Sequence, residues 1–387
     1  MTSDKKTRGR IPAPFKRTFI IDGIPQPLTP EAILLDCAGK ELPPPVSPAD
    51  RPEPVADETI DLAPGTFPDD GTPPLTYLPT VLGALSTPRR YPVTFPESYA
   101  CSRIAGALIE TLFRTGHFSL EDLSADLEWT WDSAPIGNMA ALYAGVNAAC
   151  EYIDNLGIRL RKWSYSEGDT CSIAVKAGLS GGDPLPEDEL EEETPGKVRF
   201  GRKRICPATF RPLASDWIVY IPFDSCLPRL GGSVLSEALG APSATAPDIA
   251  DADYFIDCYE VVRELIEDGV VKAGAAVGPG GLLTALHGMS GEEGIGASVD
   301  LTDLRKSWED SIPVRVLYGE VPGVLIEIAD IDFDYVDAEL LLQDIAYFPI
   351  GHPSPAKDSG ITLLSGEKKI GIATILDSLL TASEGED

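Results

Sequence analysis

The chain has 387 residues, 43% of them hydrophobic, which allows two or three structural units and a substantial core. Its 31 basic and 61 acidic residues leave a net charge of −30, which excludes nucleic acid and anionic membrane as expected partners, because phosphate binding needs clustered Lys and Arg. No run reaches the roughly 20 apolar residues that span a bilayer. Met1–Arg10 is basic without an apolar core behind it, so no secretory signal is expected and the reading is cytoplasmic.

Residues 1–72 read as an N-terminal extension and linker. Phe19–Ile24 suits a short strand, and Thr29-Pro30 opens a short helix to Cys37. Leu42-Pro43-Pro44-Pro45 begins a proline-rich acidic stretch that runs to Pro68; proline fixes φ and removes donors, so an extended arm is expected. From residue 73 the pattern becomes globular. Ser98 is placed to cap a helix bearing Cys101, Ile104, Ala105, Leu108 and Leu112, stopped by Gly116. A second helix runs from Asn138 to Leu156 on 3–4–3–4 apolar spacing, with Gly157 as its left-handed stop, and Ile158 and Leu160 begin a strand.

Asp183–Pro195 reads as an exposed acidic loop. A boundary near residue 214 divides a first domain (73–214) from a second (215–387). In the second, Trp217–Pro222 is a strand and Phe255–Ile266 an amphipathic helix ending at Gly269. Val270–Val277 is a strand, and Gly280-Gly281 opens a helix through Met289. Strands are expected at Ile295–Leu301, Val314–Tyr318 and Val324–Ile328, and Asp330–Asp334 reads as an exposed strand edge. Alternating helix and strand implies an α/β layer.

Seven scattered cysteines, none in a C-x-x-C pair, exclude a zinc or disulfide framework. The histidines, His117, His287 and His352, pair with no recognisable Ser or Cys nucleophile.

Several local blocks, each occurring once, follow one another along the chain. They are Gly83-Ala84-Leu85 leading to Ala105–Glu110, then Leu127-Glu128-Trp129-Thr130-Trp131, Leu142–Val146 and Leu156-Gly157-Ile158. Leu230-Gly231-Gly232-Ser233, Ala273–Leu282, Leu317-Tyr318-Gly319-Glu320 and Ile350-Gly351 follow. Together they resemble the aminoimidazole ribonucleotide synthetase superfamily across about residues 75–376. The nearest likeness is to the second synthetase-like half of the large phosphoribosylformylglycinamidine synthases.

The resemblance implies an α+β, two-domain unit. Its N-terminal α/β domain forms half of a β-barrel by pairing with a second copy, and its C-terminal domain is an α/β layer. It also implies ATP and substrate in the groove between them, where ATP phosphorylates an amide oxygen and ammonia displaces the phosphate. Carried over by position, it assigns Asp169, Thr170, Gly231, Gly232, Ser233, Gly280 and Gly281 to ATP or ADP, and Glu110 and Asp169 to Mg²⁺. The implied partners are a second copy or a catalytic synthetase chain, with a separate glutaminase as ammonia source.

This sequence departs from the pattern where the chemistry is most demanding, because phosphoryl transfer relies on metal ions and positioned charge. The family's A-E-A-L-T-N falls on residues that include Gly106 and Glu110. Its G-K-D-S falls on Glu167-Gly168-Asp169-Thr170, which loses the lysine and keeps Asp169. The His and two Asp of its H-D-V-S-D-G-G are Ala275, Ala276 and Pro279. A degenerate site is therefore expected. Three functions stay open: a purine-biosynthesis component with an auxiliary nucleotide or scaffold role, a non-catalytic dimeric interaction protein, and a diverged enzyme using Glu110, Glu167 and Asp169.

Overall fold

The computed structural model describes residues 13–42, 53–55, 58–60, 67, 71–114, 118–180, 204–241, 245–291, 294–310, 312–357 and 360–364. The expected acidic loop at 183–195, the Gly116 stop and His117 lie outside them.

The architecture is α+β, in two parts. The first is built on a three-stranded sheet, β4-β3-β5, with β3 (Leu123–Trp131) central between β4 (Arg159–Glu167) and β5 (Ser172–Leu179). β3 alternates along most of its length: Leu123, Ala125, Leu127, Trp129 and Trp131 are buried, Glu128 is exposed, Asp126 and Thr130 are half-buried, and Ser124 breaks the pattern by being buried as well. Period-2 alternation gives a sheet one apolar face, and here that face is covered by α3 (Pro96–Leu112) and α4 (Asn138–Asn155). α3 starts at Pro96, two residues before Ser98, because proline is suited to the first helical position.

The second part is a mixed six-stranded sheet in the order β11-β8-β10-β6-β9-β7, buried on both faces. Its strands are β6 (Trp217–Pro222), β7 (Val271–Val277), β8 (Ile295–Asp300), β9 (Gly323–Ile328), β10 (Phe348–Lys357) and β11 (Ile361–Leu364). β6 shows the division: Val219 and Ile221 join the core shared with α3, α4 and α6 (Ala252–Glu267), while Ile218 and Tyr220 face the opposite core. That second core is closed by α5 (Val234–Ala238), α7 (Gly281–Ser290), α8 (Thr302–Ser307) and α9 (Pro313–Tyr318).

Two expected strands are helices. Val314–Tyr318 forms α9: Pro313 occupies its first turn, and the Asp310 carboxylate accepts from Ile312 N at 2.9 Å just ahead of it. A five-residue segment of Val, Arg, Val, Leu and Tyr is too short for its period to separate a strand from a buried helix. Asp330–Asp332 is a 3₁₀ turn leading into α10 (Phe333–Leu342), whose Phe333, Val336 and Leu340 recur at helical spacing on its inner side.

The N-terminal extension is anchored on the body. Phe15 packs edge-on against Trp129 and Tyr165, and Phe19 lies against Tyr143. α1 (Pro30–Cys37), capped by Thr29, buries Ile33 and Leu34 in the core shared with α4. Further along, Glu58 accepts from the amides of Gly137, Met139 and Ala140 at 3.1, 2.9 and 3.2 Å. The helix α4 has no side-chain cap of its own at Gly137, so a carboxylate from nearly 80 residues earlier satisfies its orphan donors and meets its dipole.

One buried cluster makes the fold pH-sensitive. Glu327 on β9 is fully buried and accepts from Arg211 N at 2.9 Å and Arg211 Nε at 3.4 Å. Asp216, 2% exposed, takes Arg211 Nη2 at 2.5 Å. Two carboxyls share one guanidinium; burial, and then Asp216, push Glu327 up to about 7 from its ordinary 4.5. Because the folded value is raised, its contribution is complete below pH about 4.5 and lost as pH rises through 7. Urea unfolding from pH 4.5 to 7.5 will show wild-type stability falling over that window relative to Glu327→Gln. Parallel pH profiles for the two proteins would contradict this.

Candidate functional site

The two parts meet at a groove whose wall is the loop between α2 (Leu78–Leu85) and α3. The opposite wall is the Leu230–Ser233 turn with α5. The open space holds about 800 Å³, lined by Thr87, Arg89, Arg90 and Phe95 on one side and Gly232 and Glu237 on the other.

Behind the groove wall lies Glu320, the last residue of the Leu317–Glu320 block and only 7% exposed. Its Oε1 accepts from Val234 N at 2.6 Å and from Gly280 N at 2.9 Å, and its Oε2 takes Arg89 Nη1 at 2.9 Å. A single carboxylate thus ties together both glycine turns and the α2–α3 loop. Glu320 itself has φ +52, a left-handed conformation that costs a non-glycine residue about 1–2 kcal/mol, held in place by these charge-assisted bonds. Arg89 also donates through Nη2 to Gly232 O, and its guanidinium lies 4.7 Å from the Tyr99 ring centre.

Glu237 faces the groove with Arg89 Nε at 3.7 Å. Burial raises its carboxyl, Arg89 opposes and Glu320 adds to the rise, leaving it at about 7. The groove floor therefore carries an acid that changes charge near neutrality. Arg90, exposed on the rim, is a cation with no ion-pair partner among the described residues.

The glycine turns exist because side chains do not fit there. A Cβ on Gly231 would lie 2.3 Å from Thr245 O, and one on Gly281 would lie 2.4 Å from Leu317 O, with φ at +70. Gly231, Gly232, Ser233, Gly280 and Gly281 are brought together around Glu320. Their donors are largely spoken for. Ser233 Oγ caps α5 by accepting from Ser236 N, Gly231 N donates to Thr245 O, and Gly281 N donates to Gly278 O.

Asp169 and Thr170 sit exposed in the turn between β4 and β5. That turn reaches the groove wall through Cys171 O, which accepts from Tyr91 N at 2.7 Å. Glu167, one residue before the family's lysine position at Gly168, accepts from Ser133 N at 3.1 Å and from the Tyr165 hydroxyl at 2.5 Å. Burial pushes this carboxyl up, and the Ser133 and Tyr165 hydrogen bonds outweigh it, holding it below its ordinary value. Glu110 stands apart. It faces Arg204 at 3.9 Å near the far end of α3, about 20 Å down a helix rising 1.5 Å per residue from the Pro96 end beside Tyr91. Glu110 and Asp169 are thus not brought together. Among the described residues, no group of three or more His, Cys, Asp and Glu side chains could hold a metal.

Residues 215–340, about a third of the chain, match the family model described as AIR synthase related protein, C-terminal domain. These residues are an AIR synthase-related C-terminal domain. The chain is 23% identical over 287 residues to the phosphoribosylformylglycinamidine synthase of Drosophila melanogaster, covering 71% of this chain and 21% of that protein. It is 25% identical over 280 residues to the probable chloroplastic/mitochondrial phosphoribosylformylglycinamidine synthase of Arabidopsis thaliana, covering 69% and 19%. The chain thus spans about a fifth of the length of these relatives. Among solved structures, T. maritima PurL complexed with ADP is similar at a TM-score of 0.48 and 11% identity, over 72% of this chain and 40% of that one. A likeness of that depth carries no inference about ligand or partner. The matched AIR synthase-related domain contains the Gly231 and Gly280 turns and Glu320, but not Arg89.

Arg89, Glu237, Glu58 and the clasping role of Glu320 escaped the sequence reading. Glu320 stood inside a recognised block with nothing to mark its burial, and Arg89-Arg90 lies in a proline-flanked loop with no periodicity.

The glycine requirement is directly testable. Gly281→Ala combines left-handed strain of about 1–2 kcal/mol with overlap costing a further 1–3 kcal/mol. Urea unfolding will show a loss of at least about 2 kcal/mol. Gly278→Ala, where a Cβ meets nothing within 4 Å, will stay within about 0.5 kcal/mol of wild type. Equal effects at both positions would contradict the close approach at Gly281.

Proposed function

We propose that this chain is a formylglycinamidine synthase-like component of purine biosynthesis that keeps the family groove as an auxiliary nucleotide-binding or scaffold unit without running the ligase step. The observation that carries the reading is the Glu320 clasp. It preserves both glycine turns and an open groove, while the positions that phosphoryl transfer demands are Ala275, Ala276, Pro279 and Gly168. ADP, which the family resemblance places in this groove, is the ligand to try first.

A second reading, a non-catalytic interaction protein that keeps only the fold, draws support from the same clasp. The Val234 and Gly280 amides that would face a phosphate already serve a carboxylate. As for partners, the β3 face turned away from α3 and α4 carries Asp126, Glu128 and Thr130, with Glu128 paired to Lys176 at 3.3 Å. Closing a barrel on that face with a second copy would desolvate these charges, which favours a different chain, a catalytic synthetase or a glutaminase, as companion.

Thermal unfolding with and without Mg·ADP separates the two readings. A ligand at 100 times its Kd that binds only the native state stabilises by about 2.7 kcal/mol. The auxiliary-site reading expects an upward shift of a few degrees and no ATP turnover. An unchanged Tm at millimolar Mg·ADP would overturn it in favour of the scaffold, and ATP hydrolysis lost in Asp169→Ala would overturn both.

A further inference from the structure

Most helices here bury one face and solvate the other. The outward face of α10 is apolar instead. Ile331 is 88% exposed, Tyr335 44%, Leu341 62% and Leu342 76%. With the exposed Ala338, residues 331, 335, 338 and 342 follow 4–3–4 spacing, a stripe along one side of the helix and the turn before it. The opposite side is occupied by the protein's own core through Val336, Leu340 and the Phe333 ring, which lies 4.9 Å from Trp217. The Tyr335 hydroxyl bonds back to Asp268 at 2.8 Å, but the apolar surface of the stripe lies outside the core, and an exposed apolar patch rimmed by polar residues marks an interaction surface.

Its rim is acidic. Asp334 and Asp337 border one side, Glu339 the other, and Asp344 lies beyond the C-terminal end. None of the four has an ion-pair partner among the described residues, and nearby Lys272 is taken by Asp332 at 3.1 Å.

We propose that the outer face of α10 docks a helix of another protein whose apolar stripe is bordered by Lys and Arg. The apolar residues provide the buried centre, and opposite charge along the rim sets orientation and accelerates encounter. A second copy fits poorly, because a two-fold contact lays this acidic rim against itself. Anionic membrane is repelled by the same rim.

The test uses the full chain and a labelled 18-residue helical peptide with a Leu stripe bordered by Lys, beside a counterpart with Glu in place of Lys. Fluorescence anisotropy will show saturable binding of the Lys peptide, weakened by salt, and none of the Glu peptide. Ile331→Asp/Leu342→Asp will weaken it at least tenfold at unchanged melting temperature. Ile331→Asp alone is the second variant should the pair unfold early, with at least a threefold effect. Equal affinity for wild type and variants, or for both peptides, overturns the proposal. A wild-type dimer in sedimentation that Leu342→Asp dissociates overturns it in favour of a second copy. Hydrogen exchange that is slow along the stripe in the isolated chain, and fast once residues 365–387 are removed, overturns it in favour of that segment.

Discussion

A carboxylate taken out of water is stable only where donors replace its hydration, and Glu320 has three such donors from three distant parts of the chain. Val234 N belongs to the turn after β6, Gly280 N to the turn after β7, and Arg89 to the loop entering α3. The charge between the two glycine turns bridges them. The left-handed backbone at Glu320 is tolerated because the surrounding bonds over-determine it.

The same device recurs. Glu58 satisfies the start of α4, and Asp224 accepts from Cys226, Ala250 and Asp251 amides just ahead of α6. In a chain of net charge −30, several of the acids are thus internal, replacing water at backbone donors, and are not part of a solvated surface. Glu327 is the costlier version: it shares Arg211 with Asp216 and is pushed towards protonation near neutrality. The acidity that reads as mere solubility from composition has structural members.

Much of the fold was legible because it rests on periodicity. The helix expected at Asn138–Leu156 and the strands expected at Trp217–Pro222, Val270–Val277 and Val324–Ile328, read from apolar spacing and short apolar runs, are found within one residue of those bounds. Val314–Tyr318 was not legible, because its context, Asp310 and Pro313, decides its conformation and its own spacing does not. Of the site, the glycine turns were legible as blocks, since close approach leaves no alternative to glycine at Gly231 and Gly281. Their partners were not. Arg89 and Glu320 are 231 residues apart, and nothing local distinguishes a clasping acid from sixty others. The magnesium pair inferred from resemblance, Glu110 and Asp169, shows the converse: family position placed both in one site, while helix length separates them.

The central claim is that Arg89 and Glu320 act as one unit that shapes the groove. A double-mutant cycle tests it, measuring urea unfolding of Arg89→Met, Glu320→Gln and the pair. Each single change leaves a buried partner unmatched and is predicted to cost about 3–5 kcal/mol. The double variant is predicted to cost much less than their sum, giving a coupling of at least about 1.5 kcal/mol. Additive losses would mean that the two side chains stabilise the fold separately, and the clasp would then not be what holds the groove open.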